Sequence, residues 1–139
     1  MKLFDFNKLL ENTELREGKI KEYTKSEIIK KEEANNAEIK GHVAKAEHNL
    51  SFIQDNIKLG YYDWCITGCY YATYHAALAL LLKKGFITKN HDATLCLLMR
   101  EYYKQGMTKE EIELVNKFFL DYQDLLFYEL FFRKICQKR

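Results

Sequence analysis

Apolar residues recur through the middle of the chain at alternating steps of three and four. Ile39, Val43, Ala46, Leu50, Ile53 and Ile57 lie at spacings of 4, 3, 4, 3 and 4, which places them on one stripe of a helix that ends at Gly60. A second stripe, Trp64, Gly68, Tyr71, His75, Leu78 and Leu82, predicts a helix from about Tyr61 to Lys84, closed by a left-handed Gly85. Beside it, Gly68, Ala72, Ala76 and Ala79 form a ridge of small residues that lets a neighbouring helix approach closely. A third helix is expected from about His91 to Gln105, stopping at Gly106. Thr108 and Glu111 then make a capping box for a long last helix. That helix carries two apolar stripes. One is Ile112, Val115, Phe119, Tyr122 and Leu126, and the other is Leu114, Phe118, Leu125, Tyr128 and Phe132. One buried face would satisfy a monomer, so the surplus predicts a homodimer interface.

The first 40 residues read differently, with 18 charged side chains, nine of each sign. Glu17/Lys21 and Glu27/Lys31 have the i, i+4 spacing of solvent-exposed helix pairs, so this segment is expected to be mostly solvated. Phe4, Phe6, Leu9 and Leu10 suffice for a short amphipathic helix docked on the body or on a partner. Asn35 or Asn36 offers a cap for the next helix. The predicted organisation is a charged N-terminal helical arm over 1–36 and a bundle domain over 37–139. Short connections make consecutive helices antiparallel neighbours, giving an all-α, up-and-down four-helix bundle plus the arm.

Composition narrows the chemistry. The chain has no proline, and its 139 residues suit one domain with a single core. A formal charge of +2 argues against coating nucleic acid by bulk electrostatics, so any nucleic-acid site must be a local patch. Cys65, Cys69, Cys96 and Cys136 form no CxxC pair and no zinc spacing with histidine, so no metal and no cofactor is expected, and the thiols read as reduced. The N-terminus becomes charged too early for a secretory signal, and no run of 18 apolar residues occurs. A soluble, cytoplasmic protein without a membrane partner is the expectation.

The segment "GCYYATYHA" at 68–76 sets Tyr70, Tyr71, Tyr74 and His75 within the most apolar helix. Tyr70 and Tyr74 share a face at i, i+4 and either pack on a neighbouring helix or stack bases. His75 reads as a hydrogen-bonded core residue, and His42 and His48 as surface residues. His91 follows "ITKN" at a helix start, where free backbone N–H groups and the dipole attract anions. It and Asn90 either cap the helix or, with Lys89, hold a phosphate. Arg133, Lys134, Lys138 and Arg139 form a basic tail.

Residues 46–91, "AEHNLSFIQDNIKLGYYDWCITGCYYATYHAALALLLKKGFITKNH", resemble the HEPN family. The likeness rests on an Ala…Asn-Leu start, a Gly-Tyr junction, a Tyr-Tyr-Ala run followed by an aromatic and His, and a Lys…His loop. It is closest to small stand-alone members often paired with a minimal nucleotidyltransferase, and extends loosely to about Tyr128. The resemblance implies a helical dimer that binds RNA or nucleotides, serves in a toxin–antitoxin type pair, and in active members cuts RNA without a metal. Active members carry an Arg followed after four to six residues by His, and no Arg of this chain is followed so. In related proteins an Arg precedes an Asp-Tyr pair in the last helix. Here Gln123 or Asp124 stands near the Arg position, and Phe127-Tyr128 replaces Asp-Tyr.

Metal-free cleavage needs a base for the 2′-hydroxyl and a cation for the developing phosphate charge. His91 is the candidate base, and Lys84, Lys89, Asn90, Tyr70 and Tyr74 are candidate binding residues. Lysine does not reproduce the fixed fork of arginine. The expectation is therefore RNA or nucleotide binding with weak or lost nuclease activity, the alternative being a non-catalytic dimerisation or scaffold module.

Overall fold

The computed structural model describes the backbone of residues 1–137 and the side chains of residues 1–126. The architecture is all-α. Helices α1 (Leu3–Glu11) and α2 (Thr13–Lys25) lead through β1 (Ile29–Lys31) to α3 (Asn36–Leu59) and α4 (Tyr62–Lys83), and β2 (Phe86–Thr88) then leads to α5 (His91–Tyr102) and α6 (Lys109–Gln137). Helix α4 is the centre and contacts α3, α5, α6 and β2. That position explains its composition. It is the described helix long and apolar enough to cross a membrane, yet it packs on protein elements along both of its flanks.

Local capping sets the boundaries. The Asn35 side chain accepts from the backbone N–H groups of Ala37 and Glu38, and the helix it starts ends at Gly60. Thr108 and Glu111 exchange the two bonds of a capping box at 2.9 and 3.2 Å. Helix α5 ends at Tyr102, three residues before the expected Gln105. The Tyr102 hydroxyl donates to the Leu80 carbonyl at 2.6 Å, tying this end to α4. Lys104 takes a positive φ of 60°, so the chain has already left the helix before Gly106.

The α3–α4 pair depends on close approach at Gly68. A methyl group added there would lie 2.6 Å from the Ile53 side chain. Ala72 and Ala79 are buried on the same ridge, whereas Ala76, expected beside them, is exposed. The side of α3 that meets α4 carries Ile39, His42, Ala46, Asn49 and Ile53. Val43, Leu50 and Ile57, expected in the core, are 42–53% exposed. Trp64 and Tyr71 of the α4 stripe are likewise exposed. The reason is that α3 packs chiefly on one neighbour, so half of its apolar stripe has nothing to bury against. His42, expected at the surface, is half-buried against α4. Its Nδ1 lies 3.1 Å from Nδ1 of His75, with the rings stacked. His48 is exposed as expected.

The first 36 residues do more than the charge pattern suggests. Phe6, Leu9, Leu10, Ile20 and Ile29 are buried in the main core with Leu95, Cys96, Leu97, Leu98 and Met99 of α5. Arg16, a residue of this charged segment, is buried and donates through Nη1 to the Leu9 and Leu10 carbonyls at 3.1 Å, satisfying the otherwise open end of α1. Two short strands, absent from the sequence reading, pair antiparallel with Ile29 opposite Thr88 and Lys31 opposite Phe86. Gly85, at a φ of +84°, makes the turn out of α4 into this ribbon, and its carbonyl accepts from Glu32. On α6, Ile112 and Phe119 are buried, Val115 and Tyr122 half-buried, and Leu114 and Leu126 exposed. The expected stripe residues Tyr128 and Phe132, Cys136 and the basic residues Arg133 and Lys134 have side chains outside the described residues, as do Lys138 and Arg139 altogether.

Ala72 sits 7% exposed on the ridge. Replacing it with Leu is expected to overpack the bundle and cost about 1–3 kcal/mol, while Ala76→Leu leaves stability nearly unchanged. Urea unfolding of the two variants checks this. Equal midpoints would mean that the two positions do not differ in packing.

Candidate functional site

Thr88 ends β2, and the chain turns through Lys89 and Asn90 into α5. The Lys89 N–H donates to the Ile28 carbonyl, extending the ribbon contact to the edge of the site. Asn90 caps α5, its side-chain oxygen accepting from Ala93 N–H at 2.8 Å. Thr94 donates through its hydroxyl to the Asn90 carbonyl and bonds Thr88 at 2.7 Å. These bonds fix the turn, and the turn fixes His91 as the first residue of the helix.

The imidazole of His91 lies between three helices. Its Nε2 is 2.9 Å from the Tyr70 hydroxyl of α4. Its Nδ1 is 3.1 Å from the Gln123 amide nitrogen of α6. The ring stacks on Phe119 with centroids 4.4 Å apart. With the Gln123 amide donating to Nδ1, the ring proton resides on Nε2 and is donated to the Tyr70 oxygen. That arrangement leaves the phenolic O–H of Tyr70 free to donate to a ligand. Burial lowers the His91 pKa below its ordinary value, with the neighbouring Asp92 carboxylate partly opposing it. Burial, followed by Tyr74 and Tyr71, raises that of Tyr70. Near neutrality both groups are therefore uncharged, a histidine able to accept a proton and a phenol able to donate one.

The aromatic faces are not equally available. Tyr70 is 9% exposed and lies against Tyr122 with centroids 3.8 Å apart and an interplanar angle of 5°. The Tyr74 ring is nearly parallel to it, with centroids 5.8 Å apart. Buried and stacked on Tyr122 of α6, Tyr70 takes the packing alternative of the two that the sequence left open and offers its hydroxyl to the cleft. Tyr74 is half-buried and remains at the edge.

Tyr70, Tyr74, Lys89, Asn90 and His91, with Asp92 and Gln123, line an open cleft of about 450 Å³. Five of the six sequence-predicted binding residues thus meet. Lys84 does not join them. It terminates α4, and its ammonium lies over the Tyr102 ring at 5.4 Å, at the opposite end of α5 from His91. Gln123, Phe119 and Tyr122 were not identified as site residues. Phe119 and Tyr122 read as members of an apolar stripe and Gln123 as standing near the family's Arg position, and nothing local shows that this turn of the last helix meets His91.

A sequence model described as the HEPN domain matches residues 39–127. The chain is 28% identical to a UPF0332 protein of Archaeoglobus fulgidus over 82 residues, which are 59% of this chain and 66% of that relative. It thus spans just under two thirds of that protein's length. No solved structure matches.

His75 has its pKa lowered by burial, then by His42 and Lys45, and His91 is lowered as well. The unfolded chain therefore binds more protons than the folded one as pH falls below the unfolded histidine value of about 6.5. Stability should be fully present above that value and be lost as pH falls through the folded-state values. Urea midpoints should fall between pH 7.5 and 5, less steeply in His91→Gln. A His91→Gln slope equal to that of the parent would contradict a buried, neutral His91.

Proposed function

The chain belongs to the HEPN domain family, and from that premise we propose that the His91 cleft binds a phosphate of RNA or of a nucleotide. The observation that carries this reading is the convergence of Lys89, the start of α5, the Tyr70 hydroxyl and a neutral His91 on one open cleft. Lys89 supplies positive charge, and the first turn of α5 supplies backbone N–H groups. The Tyr70 hydroxyl supplies a further donor, and the edge of Tyr74 lies within reach of a base.

Cleavage at this cleft would be weak. His91 has the protonation state of a general base, but its one unprotonated nitrogen, Nδ1, is held by the Gln123 amide, so it must release Gln123 before it accepts a proton. Near the position where the family resemblance leads one to expect an Arg, this chain has Gln123 or Asp124, and Gln123 reaches His91. Its amide binds the imidazole but brings no charge to stabilise a transition state. The reading is of an RNA- or nucleotide-binding protein with little metal-free endoribonuclease activity, partnered in the cytoplasm with a nucleotidyltransferase as in the toxin–antitoxin type pairs that it resembles. In this reading residues 37–139 are the functional domain, and residues 1–36 brace it.

RNA binding measured by fluorescence anisotropy, with cleavage followed on a gel without divalent metal, tests the reading. Binding should weaken with salt. Lys89→Ala should reduce it without a matching loss of stability, since Lys89 is exposed, whereas His91→Ala should reduce it and also lower stability, because it removes the Tyr70 and Gln123 bonds and the Phe119 stack. Robust cleavage that persists in His91→Ala would contradict both the assigned base and the weak activity.

A second observation favours self-association. Val43, Leu50 and Ile57 along one side of α3, with Trp64 on α4, leave apolar surface exposed, more than the described part of α6 offers. The proposed homodimer uses this face. Light scattering at micromolar concentration should give twice the chain mass, and Leu50→Glu with Trp64→Glu should give a monomer. If the protein dimerises but binds no RNA or nucleotide, the scaffold alternative is the better account.

A further inference from the structure

We propose that a second cleft, built by the N-terminal helices beside the His91 site, binds the neighbouring phosphates of a single-stranded RNA, so that the ligand is an oligonucleotide. The inference rests on the reading of the His91 cleft given above and deepens it. The second cleft, of about 490 Å³, is lined by Met1, Lys2, Asp5, Lys8, Leu9, Leu15, Lys19, Tyr23 and Asp92. Asp92 also lines the His91 cleft, so the two depressions share a wall one residue wide. A strand leaving His91 over the first turn of α5 enters the second cleft directly.

The chemistry on its walls suits a polyanion better than a single small anion. Lys2 before α1, Lys8 on α1 and Lys19 on α2 surround one opening, with Asp5 and Asp92 as the opposing charges. Asp92 is already faced by the N-terminal ammonium at 3.8 Å. Lys19 pairs with Glu22 at 3.8 Å, both groups well exposed, and such a pair is weak enough to be given up to phosphate. Lys8 lies over the Phe4 ring at 5.9 Å at the surface. Tyr23 is half-buried in the same wall, and burial, then Asp92, raises its pKa, so it is a protonated phenol. Its hydroxyl makes no hydrogen bond among the described residues and is available to a phosphate or a sugar.

Nothing in the matched domain supplies this cleft except Asp92, because the family match begins at residue 39. The buried contacts of Phe6, Leu9, Leu10 and Ile20 with α5 dock α1 and α2, and so the backbone that carries the lysines, beside the site. They give the N-terminal segment a functional reason to be docked there. Each lysine replaces a condensed counterion on the strand, so affinity should grow with oligonucleotide length and fall with salt.

The test compares uridine 3′-monophosphate with a fluorescent hexauridylate on the full chain, using Lys2→Gln/Lys8→Gln/Lys19→Gln and, as a charge-matched control at exposed lysines outside the cleft, Lys21→Gln/Lys25→Gln/Lys58→Gln. Melting curves establish that both variants are folded. The expected result is tighter binding of the hexamer than of the monophosphate by the parent chain, and loss of that advantage in the triple variant. The triple variant's dependence of log affinity on log salt should flatten by about 2, from about 0.7 per phosphate. Monophosphate binding should be unchanged. An unaltered hexamer affinity and salt slope in the triple variant, or an equal loss in the control, overturns the second cleft while leaving the His91 reading standing. If the parent chain binds neither probe, both fall together.

Discussion

The hydrogen bond between the Tyr70 hydroxyl and His91 Nε2 holds the site together, because it joins the central helix to the start of α5. The Gln123 contact at Nδ1 and the Phe119 stack complete the enclosure from α6. A histidine so placed cannot be exchanged for another polar residue without leaving a phenol or an amide without its partner. The enclosure also keeps the imidazole neutral by desolvation. One set of contacts thus fixes the position of the ring, its protonation and the orientation of the cleft above it. The rest of the bundle serves this arrangement. The small ridge at Gly68 and Ala72 brings α3 against α4 and leaves the opposite side of α4 free for the aromatic stack.

The division between the two sides of α4 is the asymmetry of the molecule. On one side Tyr70, Tyr74, Tyr122, Phe119 and His91 pack ring on ring. On the other, α3 is held by Gly68 and by the His42–His75 contact, with its outer stripe open to solvent. The polar groups of the tyrosine helix therefore have different tasks. Tyr70 anchors the histidine, His75 joins two helices, Tyr74 edges the cleft, and Tyr71 reaches the Tyr122 hydroxyl at 3.4 Å.

Features set by neighbouring residues were legible in the sequence. The Asn35 cap, the Thr108–Glu111 box, the end of α3 at Gly60 and the cluster Lys89-Asn90-His91 at a helix start are all local, and sequence spacing reports local structure well. Features set by which helix has how many neighbours were not. Val43 and Leu50 carry the periodicity of a buried stripe, and only the lack of a second partner for α3 turns them outward. Phe6, Leu9 and Leu10 signalled a docked helix but not that α5 receives it, and Ile20 is diluted among charges that hide its burial. Arg16 reads as a surface charge, yet it closes a helix end from within. Lys84 is near His91 in sequence, but α4 and the ribbon carry it to the far end of α5. Gln123 meets His91 across 32 residues through a register between helices that no local pattern encodes.

The central claim is that a phosphate ligand enters the cleft at His91. The most direct measurement is the nitrogen-15 spectrum of the histidine rings during titration with a short RNA. The account predicts that both ring nitrogens of His91 shift as the Tyr70 and Gln123 bonds adjust, together with the backbone amides at the start of α5, while His48 stays unchanged. Saturable shifts confined to the α3–α4 face, with His91 unmoved, would contradict it.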